Sequence, residues 1–269
     1  MISSIFYFVT AMLLSATGIS ATEESTKVSI CQSEQCDVPE DSVTQMLHDT
    51  RHRLAELSHS NITVLNNYDQ FSQLVNHAYH KEKSITASEV DQICAAVLFA
   101  ADKHRLQTRK NKEKTPYISH PIGVAYNVMS FGEVRDSAII IGALLHDTVE
   151  DTQTTFEELK EKFGDTVTGY IKEVTDDKSL GRQERKRLQV INAPHKSKGA
   201  TMIKLADKLY NVNDLISSTP ADWSQSRVDN YLQWAQSVVD RLPRVNPKMS
   251  EAVDTAINSY WEKQENKKA

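Results

Sequence analysis

One segment of the chain is apolar on nearly every side of a helix, and this segment constrains the fold more than any other. Residues 138–145 (AIIIGALL) have no polar face, so a helix here must be covered by other elements all round. Apolar residues such as Val90, Ile93 and Val97 recur at helical spacing elsewhere, and no segment alternates as a strand does. With only 8 Gly and 7 Pro in 269 residues, turn residues are too few for a many-stranded sandwich or barrel. We therefore predict an all-α bundle with this segment at its centre.

Capping signals predict where the surrounding helices begin and end. Ser88 is expected to cap the helix that carries Val90. Thr155 and Glu158 match a capping box, for a helix that ends at Gly164. Pro220, after a threonine, is expected to occupy the first turn of a helix over residues 220–242. The sequence predicts further helices over residues 122–130, 165–174, 182–192, 200–216 and 247–262.

The first residues are typical of an export signal. Residues 5–16 (IFYFVTAMLLSA) are mostly apolar and uncharged, and they are too few for a membrane span, which needs roughly 20. Small and polar residues follow, so we predict a cleaved signal peptide over residues 1–21 and a secreted or periplasmic protein. Because no Lys or Arg precedes the apolar run, an uncleaved anchor or a misassigned start remain alternatives. The protein would be cytoplasmic if the signal is not functional. After cleavage, no stable membrane span is expected.

The rest of the chain divides into two regions of different character. Residues 22–86 are polar and irregular, and we expect an extension with one or two short helices. Residues 87–265 are expected to form the main domain. In the extension, Cys31 and Cys36 either form a small disulfide, as export would allow, or remain two exposed thiols.

The charge balance excludes one class of partner. The chain carries 36 acidic and 31 basic residues, a formal net charge of −5. This balance argues against a general nucleic-acid binder, although a local cluster of cations could still hold a small anion. We therefore expect no nucleic-acid partner. The sequence does not indicate an oligomeric state.

Polar side chains interrupt the apolar helices at three places. His146 and Asp147 end the most apolar segment, and Asp207 interrupts another apolar run. His120 precedes a predicted helix start. Singly, each has a structural explanation, such as a cap or a lysine partner. Together they offer two imidazoles and two carboxylates, a set that suits Mn, Fe or Zn. The acidic pair one turn further on, Glu150 and Asp151, suits a catalytic acid or base beside such a metal.

These positions resemble the H…HD…D signature of the HD-domain metal phosphohydrolases. The similarity extends to whole blocks of sequence, in the same order and with compatible spacing over residues 90–242. The blocks are TPYISHPIGV (115–124), ALLHDTVEDT (143–152), EVTDDK (173–178), ERKRLQV (184–190) and KLADKLYN (204–211). They are similar to the small alarmone hydrolases, stand-alone relatives of the hydrolase half of RelA/SpoT enzymes.

The resemblance implies an HD-domain helical bundle that hydrolyses guanosine 3′,5′-bis(diphosphate), ppGpp, to GDP and pyrophosphate. It implies one Mn²⁺, with Zn²⁺ or Fe²⁺ as alternatives. The implied ligands are His120, His146, Asp147 and Asp207. Glu150 and Asp151 would position or deprotonate the attacking water. The implied nucleotide contacts are Arg109, Lys110 and Asn211, and we add Lys208 because it lies beside Asp207.

Two alternatives follow from the departures from that family. Its core members are short and cytosolic, whereas this chain has an extension and a predicted export signal. An exported enzyme of this type could act on another nucleotide phosphate, for example the 2′-phosphate of NADPH. A non-catalytic secreted module that binds nucleotides is the third hypothesis.

Overall fold

The computed structural model describes residues 40–266, and every described element is helical. The predicted signal segment and the Cys31–Cys36 pair lie outside the described residues. Within them, the only extended pairing is one isolated bridge between Thr108 and Pro116, which confirms the all-α prediction. The helices are α1 (Glu40–Leu57), α2 (Ile62–His77), α3 (Ala87–Lys103), α4 (Ser119–Ser130), α5 (Ser137–Leu145), α6 (Thr148–Asp151), α7 (Phe156–Val174), α8 (Arg182–Asn192), α9 (Lys198–Ser217), α10 (Gln225–Val239) and α11 (Pro247–Asn266), with a π-helical turn (Ala78–Glu82) and a 3₁₀ turn (Ala193–His195).

The most apolar helix, α5, lies at the centre of the bundle as predicted. The Asp136 side chain caps it by accepting hydrogen bonds from the backbone N–H groups of Ala138 and Ile139. Its residues from Ile139 to Leu145 are all buried, and α3, α4, α7 and α9 pack around it. This arrangement places the end of α5, where the polar residues begin, in the interior of the protein.

The described part of the predicted extension packs into the same core. Helix α1 contacts α3, and α2 contacts α4. Val43, Leu54 and Phe71 are fully buried, and the buried Tyr68 hydroxyl donates to the Leu47 carbonyl at 2.9 Å. Burial of side chains of this size contributes roughly 1.5–3 kcal/mol each. These two helices are therefore part of the packed structure, and the boundary at residue 87 stays a prediction.

The structure corrects two of the predicted helix starts. Thr86, not Ser88, caps α3, because it exchanges side-chain and backbone hydrogen bonds with Glu89 in a reciprocal capping box. Ser224, not the threonine before Pro220, caps α10. That threonine, Thr219, instead donates a hydrogen bond from its hydroxyl to the Leu215 carbonyl at 2.7 Å, and so satisfies a carbonyl in the last turn of α9.

Gly164 interrupts a helix as the sequence predicts. Helix α7 continues to Val174, but its backbone leaves helical geometry at Gly164, where φ is +82°. A positive φ is costly for residues with a Cβ. Among residues 40–266, no helix combines the length and the apolar content that crossing a membrane requires.

Candidate active site

Four side chains from separate parts of the chain converge at the inner end of α5. His120 lies in the first turn of α4, His146 and Asp147 follow α5 directly, and Asp207 lies within α9. The Nε2 atom of His120 is 3.3 Å from Nε2 of His146, 3.4 Å from Oδ2 of Asp147 and 3.4 Å from Oδ1 of Asp207. The Nε2 atom of His146 is 3.2 Å from Oδ2 of Asp147 and 3.8 Å from Oδ1 of Asp207. We call these four residues the ligand cluster.

The donor atoms of the ligand cluster fit a divalent cation. The Nδ1 atom of His146 lies 2.8 Å from the Ala143 carbonyl oxygen, which holds the ring proton there and leaves the Nε2 lone pair directed into the cluster. Donor atoms set tetrahedrally about 2.1 Å from one cation lie about 3.4 Å from one another. The observed separations are of this size, and the ligand atoms of His120, His146 and Asp147 all lie within 4.8 Å of one another, close enough to hold one metal ion.

The electrostatics of the cluster also favour positive charge at its centre. Burial lowers the pKa of His146, but the Asp147 carboxylate and then Asp207 outweigh it and raise this pKa to about 9. Burial alone would raise the pKa of Asp147, yet His146 and His120 hold it well below its usual range. The buried carboxylates of Asp147 and Asp207 both stay ionised, and they stabilise positive charge on the adjacent His146 ring. The same field would stabilise a metal cation, which on binding would displace the proton from Nε2 of His146.

Asp207 is oriented by two neighbours on its own helix. The Lys208 ammonium donates to Oδ2 of Asp207 at 2.8 Å, and the Asn211 amide donates to Oδ1 at 2.5 Å. Lys208 is only 2% exposed and its Nζ lies 4.9 Å from the Trp234 ring centre. The structure therefore places Lys208 behind the ligand cluster, paired with Asp207, rather than along the cleft described below.

The acidic pair on α6 lies next to the ligand cluster. The Glu150 carboxylate accepts a hydrogen bond from the Asp176 backbone N–H at 3.1 Å, and burial raises the pKa of Glu150. The Lys178 ammonium donates to Oδ1 of Asp151 at 2.5 Å. The Tyr117 hydroxyl donates to Oδ2 of Asp147 at 2.7 Å and lies 3.4 Å from Oδ2 of Asp151. Tyr117 thus links the ligand cluster to the acidic pair.

A cleft of about 540 Å³ opens beside these groups. Arg109, Lys110 and Asn211, the three nucleotide contacts implied by the resemblance, all line it, and so does Asp151. The remaining lining residues are polar or aromatic for the most part: Gln107, Thr108, Asn111, Tyr117, Asp214, Leu215, Ser218, Pro220, Trp223 and Tyr231. The volume and the aromatic walls suit one nucleotide.

Arg109 is fixed rigidly in the wall of the cleft. Its Nη2 atom donates to Oδ2 of Asp214 at 2.6 Å and to Oδ1 of Asn211 at 3.0 Å. The guanidinium lies 5.6 Å from the ring centres of both Tyr117 and Tyr210. The guanidinium is therefore a fixed cation in the cleft wall, flanked by aromatic rings, and its charge can bind a phosphate group of a nucleotide.

Sequence reasoning did not single out three groups at this site. Tyr117 lies three residues before His120, and its position in the TPYISHPIGV block was the available signal. Asp214 lies three residues after Asn211, so both lie on one face of α9. Lys178 ends the EVTDDK block. Each of these three residues lies within one of the sequence blocks that resemble the small alarmone hydrolases, or one helical turn from it. The role of each residue depends on tertiary contacts that the sequence does not show.

Comparison with known proteins identifies the fold family. The HD domain family matches residues 96–233, more than half of the chain. The chain belongs to the HD-domain family. This HD-domain protein is 53% identical over 160 residues to the guanosine-3′,5′-bis(diphosphate) 3′-pyrophosphohydrolase MESH1 of Xenopus tropicalis, a match that covers 60% of this chain and 89% of that protein. It is 52% identical over 166 residues to MESH1 of Homo sapiens, which covers 62% of this chain and 93% of that protein.

A solved structure agrees with the sequence relatives. The structure reported under the words "A metazoan ortholog of SpoT hydrolyzes ppGpp and plays a role in starvation responses" matches with a TM-score of 0.61 and 44% identity. The match covers 62% of this chain and 94% of that one. These relatives confirm the resemblance to the small alarmone hydrolases. The HD domain also implies a divalent metal, and the ligand cluster is the candidate position for it.

Proposed function

We propose that this HD-domain protein hydrolyses ppGpp to GDP and pyrophosphate. The observation that carries the proposal is the convergence of His120, His146, Asp147 and Asp207 beside a nucleotide-sized cleft. The two relatives whose sequences match this chain over nearly their whole length are named for this activity. The structural relative is described as hydrolysing ppGpp.

We propose the ligand cluster as the holder of one Mn²⁺. The two imidazoles and two carboxylates supply the mixed nitrogen and oxygen donors that this ion accepts, and Zn²⁺ or Fe²⁺ share that preference. When bound, such an ion supplies Lewis-acid chemistry that polarises a phosphoryl oxygen and lowers the pKa of water. The protein holds the donors in place through Ala143, Lys208 and Asn211.

The acidic pair supplies the proton acceptor. Glu150 is the better base of the two, because burial raises its pKa toward the working pH. Asp151 is held by the Lys178 ammonium, and it orients the water and the substrate. In the reaction, the water oxygen attacks the phosphorus atom that is bonded to the ribose 3′ oxygen. The bond between this phosphorus and the 3′ oxygen breaks as the new bond forms. One water proton passes to the Glu150 carboxylate, and the leaving 3′ oxygen takes up a proton from solvent. Glu150 then returns its proton to solvent, so that one water is consumed for each GDP and pyrophosphate formed.

The cleft supplies the nucleotide contacts. Arg109 presents a guanidinium that is 14% exposed between two tyrosine rings, and the exposed Lys110 adds a second cation. Asn211 contacts both Arg109 and Asp207, so it lies between the nucleotide side and the ligand side. Lys208 acts on the substrate only through the Asp207 that it orients.

The test is pyrophosphate release from ppGpp by the purified full chain, with and without Mn²⁺. We expect release that is abolished by a chelator and restored by Mn²⁺, and abolished in Asp147→Ala, which should still fold. Glu150→Gln should lower kcat more than Asp151→Asn does. NADPH in the same assay tests the 2′-phosphate alternative. Nucleotide binding without any turnover would instead support the non-catalytic module.

We also propose that residues 1–21 direct export, so that the mature protein is secreted or periplasmic. The support is the short apolar run followed by small and polar residues. Amino-terminal sequencing of the mature protein tests this. A chain that retains its first residue and stays in the cytoplasm would contradict it.

A further inference from the structure

A pair of exposed histidines lies on α1, outside the region that matches the HD domain. His48 and His52 are one helical turn apart, so their side chains share a face. Their Nε2 atoms are 3.1 Å apart, and their ring centres are 4.3 Å apart with the planes at 69°. The HD domain match begins at residue 96, so the family does not account for this pair.

The contacts of both rings leave the two Nε2 atoms facing each other. The Nδ1 atom of His48 faces Oδ1 of Asp49 at 3.7 Å, beyond hydrogen-bond distance, and that oxygen accepts a hydrogen bond from the Gln45 side-chain amide at 2.7 Å. Within residues 40–266, the only polar partner of the His52 ring is His48. At this separation the two Nε2 atoms either share a hydrogen bond or direct both lone pairs at one cation.

The separation of the two nitrogens suits a shared cation. Two nitrogen donors about 2.0–2.1 Å from one ion lie about 2.8–3.4 Å apart in square or tetrahedral coordination, and the observed 3.1 Å falls within this range. Imidazole donors suit Zn²⁺, Cu²⁺ and Ni²⁺. The Asp49 carboxylate, whose Oδ1 lies 3.7 Å from Nδ1 of His48, adds negative charge beside the pair.

The helix that carries the pair is held firmly. On its inner face Val43 and Leu54 are fully buried, while the side chain of His48 is 59% exposed. A cation from solution can therefore reach both Nε2 atoms without any rearrangement of the core. We propose that His48 and His52 form a second metal site, for a Zn²⁺-like cation, with water completing the coordination.

The experiment is a calorimetric titration of the full chain with Zn²⁺. Two classes of site are expected: one is lost in Asp147→Ala, and the other loses about tenfold or more in affinity in His48→Ala and in His52→Ala. His59→Asn is the matched control. It removes a neighbouring exposed histidine with φ of +51°, where asparagine is tolerated, and both classes of site should remain. Pyrophosphate release should be unchanged in His48→Ala and His52→Ala.

A second measurement keeps the test independent of protein stability. In long-range ¹H–¹⁵N spectra, Zn²⁺ should shift the Nε2 resonances of His48 and His52 and fix the proton on Nδ1 in both rings. The proposal is overturned if Zn²⁺ binds only at the site that Asp147→Ala removes. It is also overturned if the second class of site survives the double variant of His48 and His52, or if neither Nε2 resonance responds.

Discussion

Replacing Tyr117 with phenylalanine isolates one hydroxyl group at the junction of the ligand cluster and the acidic pair. The hydroxyl donates to Asp147 at 2.7 Å and lies 3.4 Å from Asp151. Burial, with Asp147 next, raises the pKa of Tyr117 well above its usual value, so the group remains a donor throughout the neutral range. The ring, which contacts Arg109 and His104, is kept in the variant.

The expected magnitude follows from the charge of the acceptor. A hydrogen bond to a charged group contributes about 1.5–3 kcal/mol, and each 1.4 kcal/mol or so corresponds to a factor of about ten in an equilibrium constant. Tyr117→Phe should therefore weaken Mn²⁺ binding roughly ten- to hundredfold. At saturating Mn²⁺, part of kcat should return, because the four ligands themselves are intact.

The assay is Mn²⁺ affinity by calorimetry together with kcat measured over a range of Mn²⁺ concentrations. Tyr210→Phe is the matched control: its ring flanks Arg109 on the other side, and its removed hydroxyl does not contact Asp147. Equal Mn²⁺ affinity and turnover in the two variants would refute the role assigned to the Tyr117 hydroxyl.

Three further results are expected. A Cβ at Gly123 would overlap the Tyr210 ring, so Gly123→Ala should lower the free energy of unfolding by about 1–3 kcal/mol, measured by urea unfolding; an unchanged value would mean that the ring moves freely. Arg109→Lys keeps the charge but loses the planar contacts with the two tyrosine rings, so KM should rise about tenfold with a smaller change in kcat. The reverse pattern in steady-state kinetics would contradict a role in nucleotide binding. The Arg135 side chain lowers the pKa of Glu82, so their ion pair stabilises the protein fully above the ordinary glutamate pKa. This stabilisation is lost as the pH falls through the lowered pKa of Glu82. Arg135→Gln should therefore lower the melting temperature at pH 7, and should lower it by less in acid.

The polar residues at the end of α5 were the part of the site that sequence could locate. His146 and Asp147 follow seven consecutive buried residues, and burying such groups without a partner is costly. Asp207 was visible for the same reason. Their convergence with His120 was not visible from periodicity, because it depends on how α4, α5 and α9 pack. The resemblance to the HD-domain enzymes supplied that step.

The wrong predictions for the cap of α10 and for the position of Lys208 have local physical causes. Thr219 and Ser224 both fit a helix cap, and only the contact of Thr219 with the Leu215 carbonyl decides between them. Lys208 is adjacent to Asp207 in sequence, and adjacent side chains on a helix point about 100° apart. That its long side chain nevertheless reaches Asp207, rather than the cleft, follows from burial against Trp234.

The hydrogen bonds of Asn211 connect the two halves of the site. Its Oδ1 accepts from Arg109 and its Nδ2 donates to Asp207, and only this orientation of the amide satisfies both neighbours. A nucleotide that draws Arg109 away from Asn211 also alters the group that steadies a metal ligand. Thermodynamic linkage then requires reciprocity: whatever factor the cation contributes to nucleotide affinity, the nucleotide returns to cation affinity. An apparent preference for one metal measured without substrate need not be the preference of the working enzyme.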